Sequence, residues 1–197
     1  MQKTILISGS IVLAGIVLGV LFSESSMYSW RGGTMFNGAD SDMMDEEQQG
    51  GGNIIITSER SFIERMIPHH EEAIRTAGEV LERGGTNQGM VDLANNIISS
   101  QTVEVELMKR SYEEWFGKPY VDTGGYQPMM RELAPYSGVE LDRIFLHDMS
   151  MHHMGAIMMS RSVQPYLQHD VMRELTGNII VNQSREIETM QQLSVGL

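Results

Sequence analysis

The sequence contains no cysteine, which excludes disulfides, thiolate metal sites, iron–sulfur clusters and cysteine nucleophiles together. Aromatic residues are scarce at 7%, and basic residues are outnumbered, 14 Lys and Arg against 26 Asp and Glu. The resulting formal charge of −12 lacks the basic footprint that phosphate binding needs, and so speaks against nucleic acid. It is compatible with attracting cations. A length of 197 residues suggests one ordinary domain plus extensions. What is abundant is methionine, with 17 residues where roughly 4 or 5 are usual for this length. Any function has to explain them.

Ile5 to Phe22 is apolar apart from small Ser and Gly, with Lys3 before it and Ser23-Glu24-Ser25-Ser26 after it. Residues 1–26 therefore read as a signal peptide or an uncleaved N-terminal membrane anchor, and either sends the rest of the chain across a membrane. Residues 27–56 carry Gly32-Gly33, Gly38 and Gly50-Gly51-Gly52 with no helical or strand period, as a flexible linker does. Met43 and Met44 lie in it as weak candidates for thioether donors.

Residues 57–197 have a helical pattern throughout. Ser58 is a good N-cap for a helix to about Arg83, stopped by Gly84-Gly85. A second helix runs from about Asn87 to Phe116, and a loop from Val121 to Ser137. A third starts near Gly138 and ends before Pro165, and a fourth covers about Gln168 to Leu193. The halves repeat. Phe62 to Ile74 aligns with Phe145 to Ile157, matching Met66, His69 and His70 to Met149, His152 and His153. Asn96 to Met108 aligns with Asn178 to Met190. The expected fold is all-α: a ferritin-like four-helix bundle of two repeated helical hairpins joined by a long middle connection.

At about 100° per residue, Phe62, Met66, His69, His70, Ala73 and Ala77 share the apolar face of the first helix. Phe145, Met149, His152, His153, Ala156 and Ser160 repeat it in the third. Gln101, Glu104 and Met108 share the inner stripe of the second helix, as do Gln183, Glu186 and Met190 in the fourth. Four imidazoles inside a bundle form either a self-satisfied network, with Glu104 and Glu186 accepting from them, or a metal centre. A Met at i with His at i+3 and i+4 places thioether and imidazole one turn apart, within reach of one ion. Gln101, Glu104, Gln183 and Glu186 would then fix the imidazole tautomers. Met108 and Met190 offer further donors, and Met159 lies near His152 on the same side.

Pro68, just before the histidine pair, removes a backbone bond and favours a kink. On the outer face of the third helix, His147, Met151, Met154 and Met158 form a row at i, i+4, i+7 and i+11. The matching positions of the first helix, Glu64, Pro68, Glu71 and Arg75, are an ordinary solvated surface. The row fits a soft-metal site, since thioether and imidazole suit Cu(I), or an adaptable hydrophobic contact face. Met129, Met130, Met172 and His169 are weaker metal candidates.

Met66-Ile-Pro-His69-His70-Glu-Glu-Ala73-Ile74, with Gln101-x-x-Glu104-x-x-x-Met108 on the next helix, resembles the ferritin-like four-helix copper-binding proteins of cyanobacteria typified by CopM. The resemblance spans about Ser58 to Leu193, and with its apolar N-terminus and methionine-rich second half the chain looks like a close member of that family. In the second half Ser150 and Met151 replace Ile-Pro, so Met149, His152 and His153 alone carry over cleanly. The resemblance implies a periplasmic or extracellular protein that binds copper through Met and His and acts in copper sequestration and resistance. Cu(I) is the favoured ion, with Ag(I) as its mimic and Cu(II) also possible. Partners would be copper ions and other copper-handling proteins, with a membrane tether if the N-terminus is kept. An enzymatic di-iron site is not expected, because neither Glu-x-x-His nor His-x-x-x-Glu occurs. A metal-free module that docks a partner on its methionine face is the alternative.

Overall fold

The computed structural model describes residues 55–197, so the apolar segment at 5–22, Met43 and Met44 lie outside the described residues. Four α-helices lie among the described residues, α1 Glu59–Arg83, α2 Gln88–Phe116, α3 Gly138–Val163 and α4 Asp170–Val195. No strand occurs among the described residues, and none of their helices is long and apolar enough to cross a membrane. The helix ends follow local chemistry. The Ser58 side chain accepts from the Ser61 amide and the Asn87 side chain from the Met90 amide, each satisfying a donor of the first turn. Gly117 ends α2 at φ 68, in the left-handed region that glycine enters without a Cβ clash. The 3-10 turn Gln164–Tyr166 ends α3 at Pro165. α1 continues through Pro68.

α1 packs on α2 and α3 on α4, the two hairpins meet chiefly through α1 against α3, and α2 touches α4 only lightly. The apolar core falls into two clusters. One holds Phe62, Met66, Met108, Met159, Met172 and Ile179 among others. The second holds Ala73, Ile97, Met130, Phe145, Met149 and Met190 among others. Along every helix the polar inner residues fall between these clusters: His69 and His70, Gln101 and Glu104, His152 and His153, Gln183 and Glu186. A polar layer therefore crosses the bundle at mid-height.

Two buried acids tie the hairpins together reciprocally. Glu59, in the first turn of α1, accepts from the Gln168 and His169 amides at the α3–α4 turn, at 3.2 and 3.1 Å. Asp142, at the repeat-related position of α3, accepts from the Gly85 and Thr86 amides at the α1–α2 turn, both at 2.8 Å, and from the Thr86 hydroxyl at 2.6 Å. A Cβ at Gly84 would collide with the Asp142 carboxylate. The packed domain also reaches back to Ile56, which is buried and donates its amide to Ser162 Oγ at 2.9 Å. The linker expected over 27–56 thus gives up its last residue to the core.

Candidate metal centre

The mid-height layer is built by helix period. His69, His70, His152 and His153 project inward from the facing helices α1 and α3, and all four are buried. His70 Nε2 donates to Glu104 Oε2 at 2.8 Å, and His153 Nε2 donates to Glu186 Oε2 at 2.6 Å. These are the carboxylate–imidazole pairs expected, one inside each hairpin. Both glutamates keep a partly exposed edge, and Glu104 lines a groove of about 430 Å3 between α2 and α4.

The other two imidazoles meet on the pseudo-symmetry axis. The His69 and His152 rings stand 3.6 Å apart between centroids, tilted by 33°. Neither ring nitrogen of either residue has a hydrogen-bond partner. His152 Nε2 lies 3.2 Å from Glu72 Oε2, a contact without the directionality of a hydrogen bond. Burial pushes the His69 imidazole well below its ordinary 6.5, and the neighbouring His152, His70 and His153 push the same way. Burial lowers His152 as well, against the opposing pull of Glu72. Both rings are therefore held neutral, the form that can ligate a metal.

Glu72 is the residue that sequence reasoning missed. Its carboxylate is buried and accepts from the Met129 and Met130 amides at 3.1 and 3.0 Å and from the Tyr126 hydroxyl. Burial opposes its ionisation, but His152, Tyr126 and the two amides outweigh burial and hold the carboxyl at about 2. Glu72 thereby straps the middle loop over His69 and His152. The available signal was a break in the repeat, because Glu72 aligns with Gly155.

The expected tautomer-fixing amides are not in place. Gln101 makes no hydrogen bond at either side-chain atom, and Gln183 Oε1 has none. The helix wheel brings both to the layer, where Gln101 is left with no imidazole hydrogen-bonded to its amide. On the face of Glu64, Pro68, Glu71 and Arg75 the three charged side chains are solvated as expected, and Pro68 is the exception. Pro68 is buried, while Glu64 accepts from Arg60 and Tyr112, and Glu71 accepts from Lys109.

Thioethers flank the layer on both sides. Met66, Met108 and Met159 lie in one apolar cluster, and Met149 and Met190 in the other, with Met190 Sδ accepting from Ser150 at 3.5 Å. On the outer face of α3, His147 is exposed, and Met151, Met154 and Met158 are 61, 43 and 46% exposed, a row of sulfur facing solvent. Met130 and Met172 are core residues. His169 is remote from the layer: it stacks on Trp115 at 3.6 Å and pairs with Glu59 Oε2 at 2.7 Å. Among the described residues, no three His, Asp or Glu side chains are grouped so as to hold a metal ion.

The sequence matches DUF305, a domain of unknown function, over residues 24–112 and again over 59–194. The chain belongs to the DUF305 family. The two overlapping matches accord with the duplicated hairpin. Among solved structures, the bundle is similar to CopM in its Cu(II)-bound form, with 32% identity over 72% of this chain and 99% of that one, at a TM-score of 0.66. The Cu(I)-bound form of CopM gives 33% identity over 72% and 98%, at 0.65. A DUF305 fragment from Deinococcus radiodurans gives 26% over 70% and 95%, at 0.59. At these identities the chain is a CopM-like DUF305 member and a different sequence from CopM. No protein of curated function matches it significantly.

Proposed function

We propose that this chain is a non-catalytic copper-binding protein that holds Cu(I) in preference to Cu(II) on imidazole and thioether donors. It acts in copper sequestration and resistance on the far side of the membrane to which its apolar N-terminal segment directs it. One observation carries the reading: His69 and His152 are buried, neutral and without hydrogen-bond partners at all four ring nitrogens. A buried polar atom left unpaired costs about 1–3 kcal/mol, a cost that metal ligation would offset. The donors nearby are sulfur and imidazole, soft enough for Cu(I) and poor for hard cations. The copper-bound CopM structures support the choice of metal.

The test is a competition titration of the reduced full chain with Cu(I) against a weak chromophoric chelator, with Zn(II) and Fe(II) as comparators. Capture of Cu(I), and its displacement by Ag(I), is the expected result. Failure to compete, or tighter binding of Zn(II) or Fe(II), would overturn the reading. The exposed thioether row also fits a metal-free docking face. Replacing His147 by Ala with Met151 and Met154 by Leu distinguishes the two. A metal site predicts lower copper stoichiometry at unchanged helicity, and a docking face predicts unchanged uptake.

A further inference from the structure

Met129 was expected to be at most an accessory donor from the loop. The strap formed by Glu72 changes its position. Because the Met129 and Met130 amides are fixed on the Glu72 carboxylate, the Met129 side chain turns back onto α3 and lies over Gly155. A Cβ built on Gly155 would stand 3.2 Å from Met129 Cε, 3.5 Å from Met129 Sδ and 3.4 Å from His69 Nε2. The absent methyl is thus the space in which a thioether and a partnerless imidazole nitrogen approach each other. His152, the other imidazole without a hydrogen-bond partner, lies tilted against His69 at 3.6 Å between ring centroids, with Glu72 Oε2 3.2 Å from its Nε2. Met129 is itself 48% exposed, so its sulfur reaches from solvent to the buried layer.

We infer that Met129, His69 and His152 form one Cu(I) site, cradled by Gly155 and completed by the middle loop. The inference rests on the copper reading above and specifies which donors share an ion. The repeat is broken where this site needs it. Glu72 on α1 fixes the loop, and Gly155 at the matching position of α3 makes room for what the loop carries. The site also gives the exposed row a route inward. On the α3 wheel Gly155 lies between His152 and the pair Met151 and Met158, so Met129 sits between exposed thioethers and the buried imidazoles. An ion passing along it exchanges one neutral soft donor for another, with no change in oxidation state.

The test uses the reduced full chain with Cu(I) as probe, read by chelator competition and by X-ray absorption at the copper edge. Met129→Leu keeps the amides that bind Glu72 and removes only the sulfur. It should weaken the tightest copper equivalent roughly tenfold or more and lower the sulfur contribution around that copper. Gly155→Ala should do the same by displacing Met129, with circular dichroism reporting whether the helices persist. His69→Ala with His152→Ala should abolish that equivalent. If Met129→Leu retains wild-type affinity and sulfur scattering while the histidine pair is essential, the site lacks Met129 and the inference is overturned. If the wild-type chain itself captures no Cu(I), the copper reading falls, which is a different result.

Discussion

At the scale of single residues, the mid-height layer divides its four histidines into two kinds. His70 and His153 each spend one nitrogen on a hydrogen bond to a glutamate, whereas His69 and His152 make no hydrogen bond and His152 only approaches Glu72. Glu104→Leu should therefore destabilise the copper-free protein by about 1–3 kcal/mol, since it leaves His70 unpaired in the interior. The double variant with His70→Phe should recover part of that loss, both read from urea midpoints. The lowered His69 and His152 also set a pH dependence. Below 6.5 the unfolded chain takes up protons that the folded, metal-free chain refuses, so stability present above 6.5 is lost as pH falls beneath it. Glu72 adds a second loss, from 4.5 down towards about 2. Urea midpoints measured at falling pH should show both, and His69→Phe with His152→Phe should flatten the first and shrink the second, because His152 is one of the groups that hold Glu72 low.

At the scale of helices and loops, much of the architecture is legible in the sequence because its determinants are local. Ser58 and Asn87 cap, Gly84 and Pro165 stop, and the inward set follows the 3.6-residue period. Glu72 and Met129 are not legible in that way. Their positions depend on how a long connection closes over a helix pair, and no periodicity encodes that closure. The burial of Pro68 and the idle amide of Gln101 belong to the same class, since a wheel assigns a face but not a reach. The acids at the hairpin turns are long-range too, yet their repeat-related spacing exposes them once the duplication is known. Asp142→Ala removes three hydrogen bonds to one buried carboxylate and should cost about 3 kcal/mol, hydrogen bonds to charged groups being the stronger kind. Thermal or urea unfolding measures it. Glu59→Ala should in addition disturb the Trp115–His169 stack, visible as a change in tryptophan emission before unfolding begins.

For the molecule as a whole, the proposed copper binding would be linked to folding. A ligand that binds only the folded chain stabilises it by about 2.7 kcal/mol at one hundred times its Kd. Cu(I) at that excess should raise the melting temperature by roughly 5–10 °C, and the rise should shrink in the Met129→Leu and His69→Ala with His152→Ala variants. Calorimetry under reducing conditions gives the shift, and no rise with Cu(I) would contradict the coupling. The negative net charge of −12 works in the same direction, favouring cation approach in a salt-dependent way.

The Glu59 and Asp142 clasps have a consequence for assembly. Each half lends an acid to the other and receives one in return, which is the exchange a two-fold rotation performs on identical objects. A peptide comprising just one half, say residues 55–117, carries both the hook and a turn able to accept it. Two such peptides should therefore pair head-to-head into a symmetric dimer that rebuilds the bundle, detectable as a doubling of mass in sedimentation equilibrium.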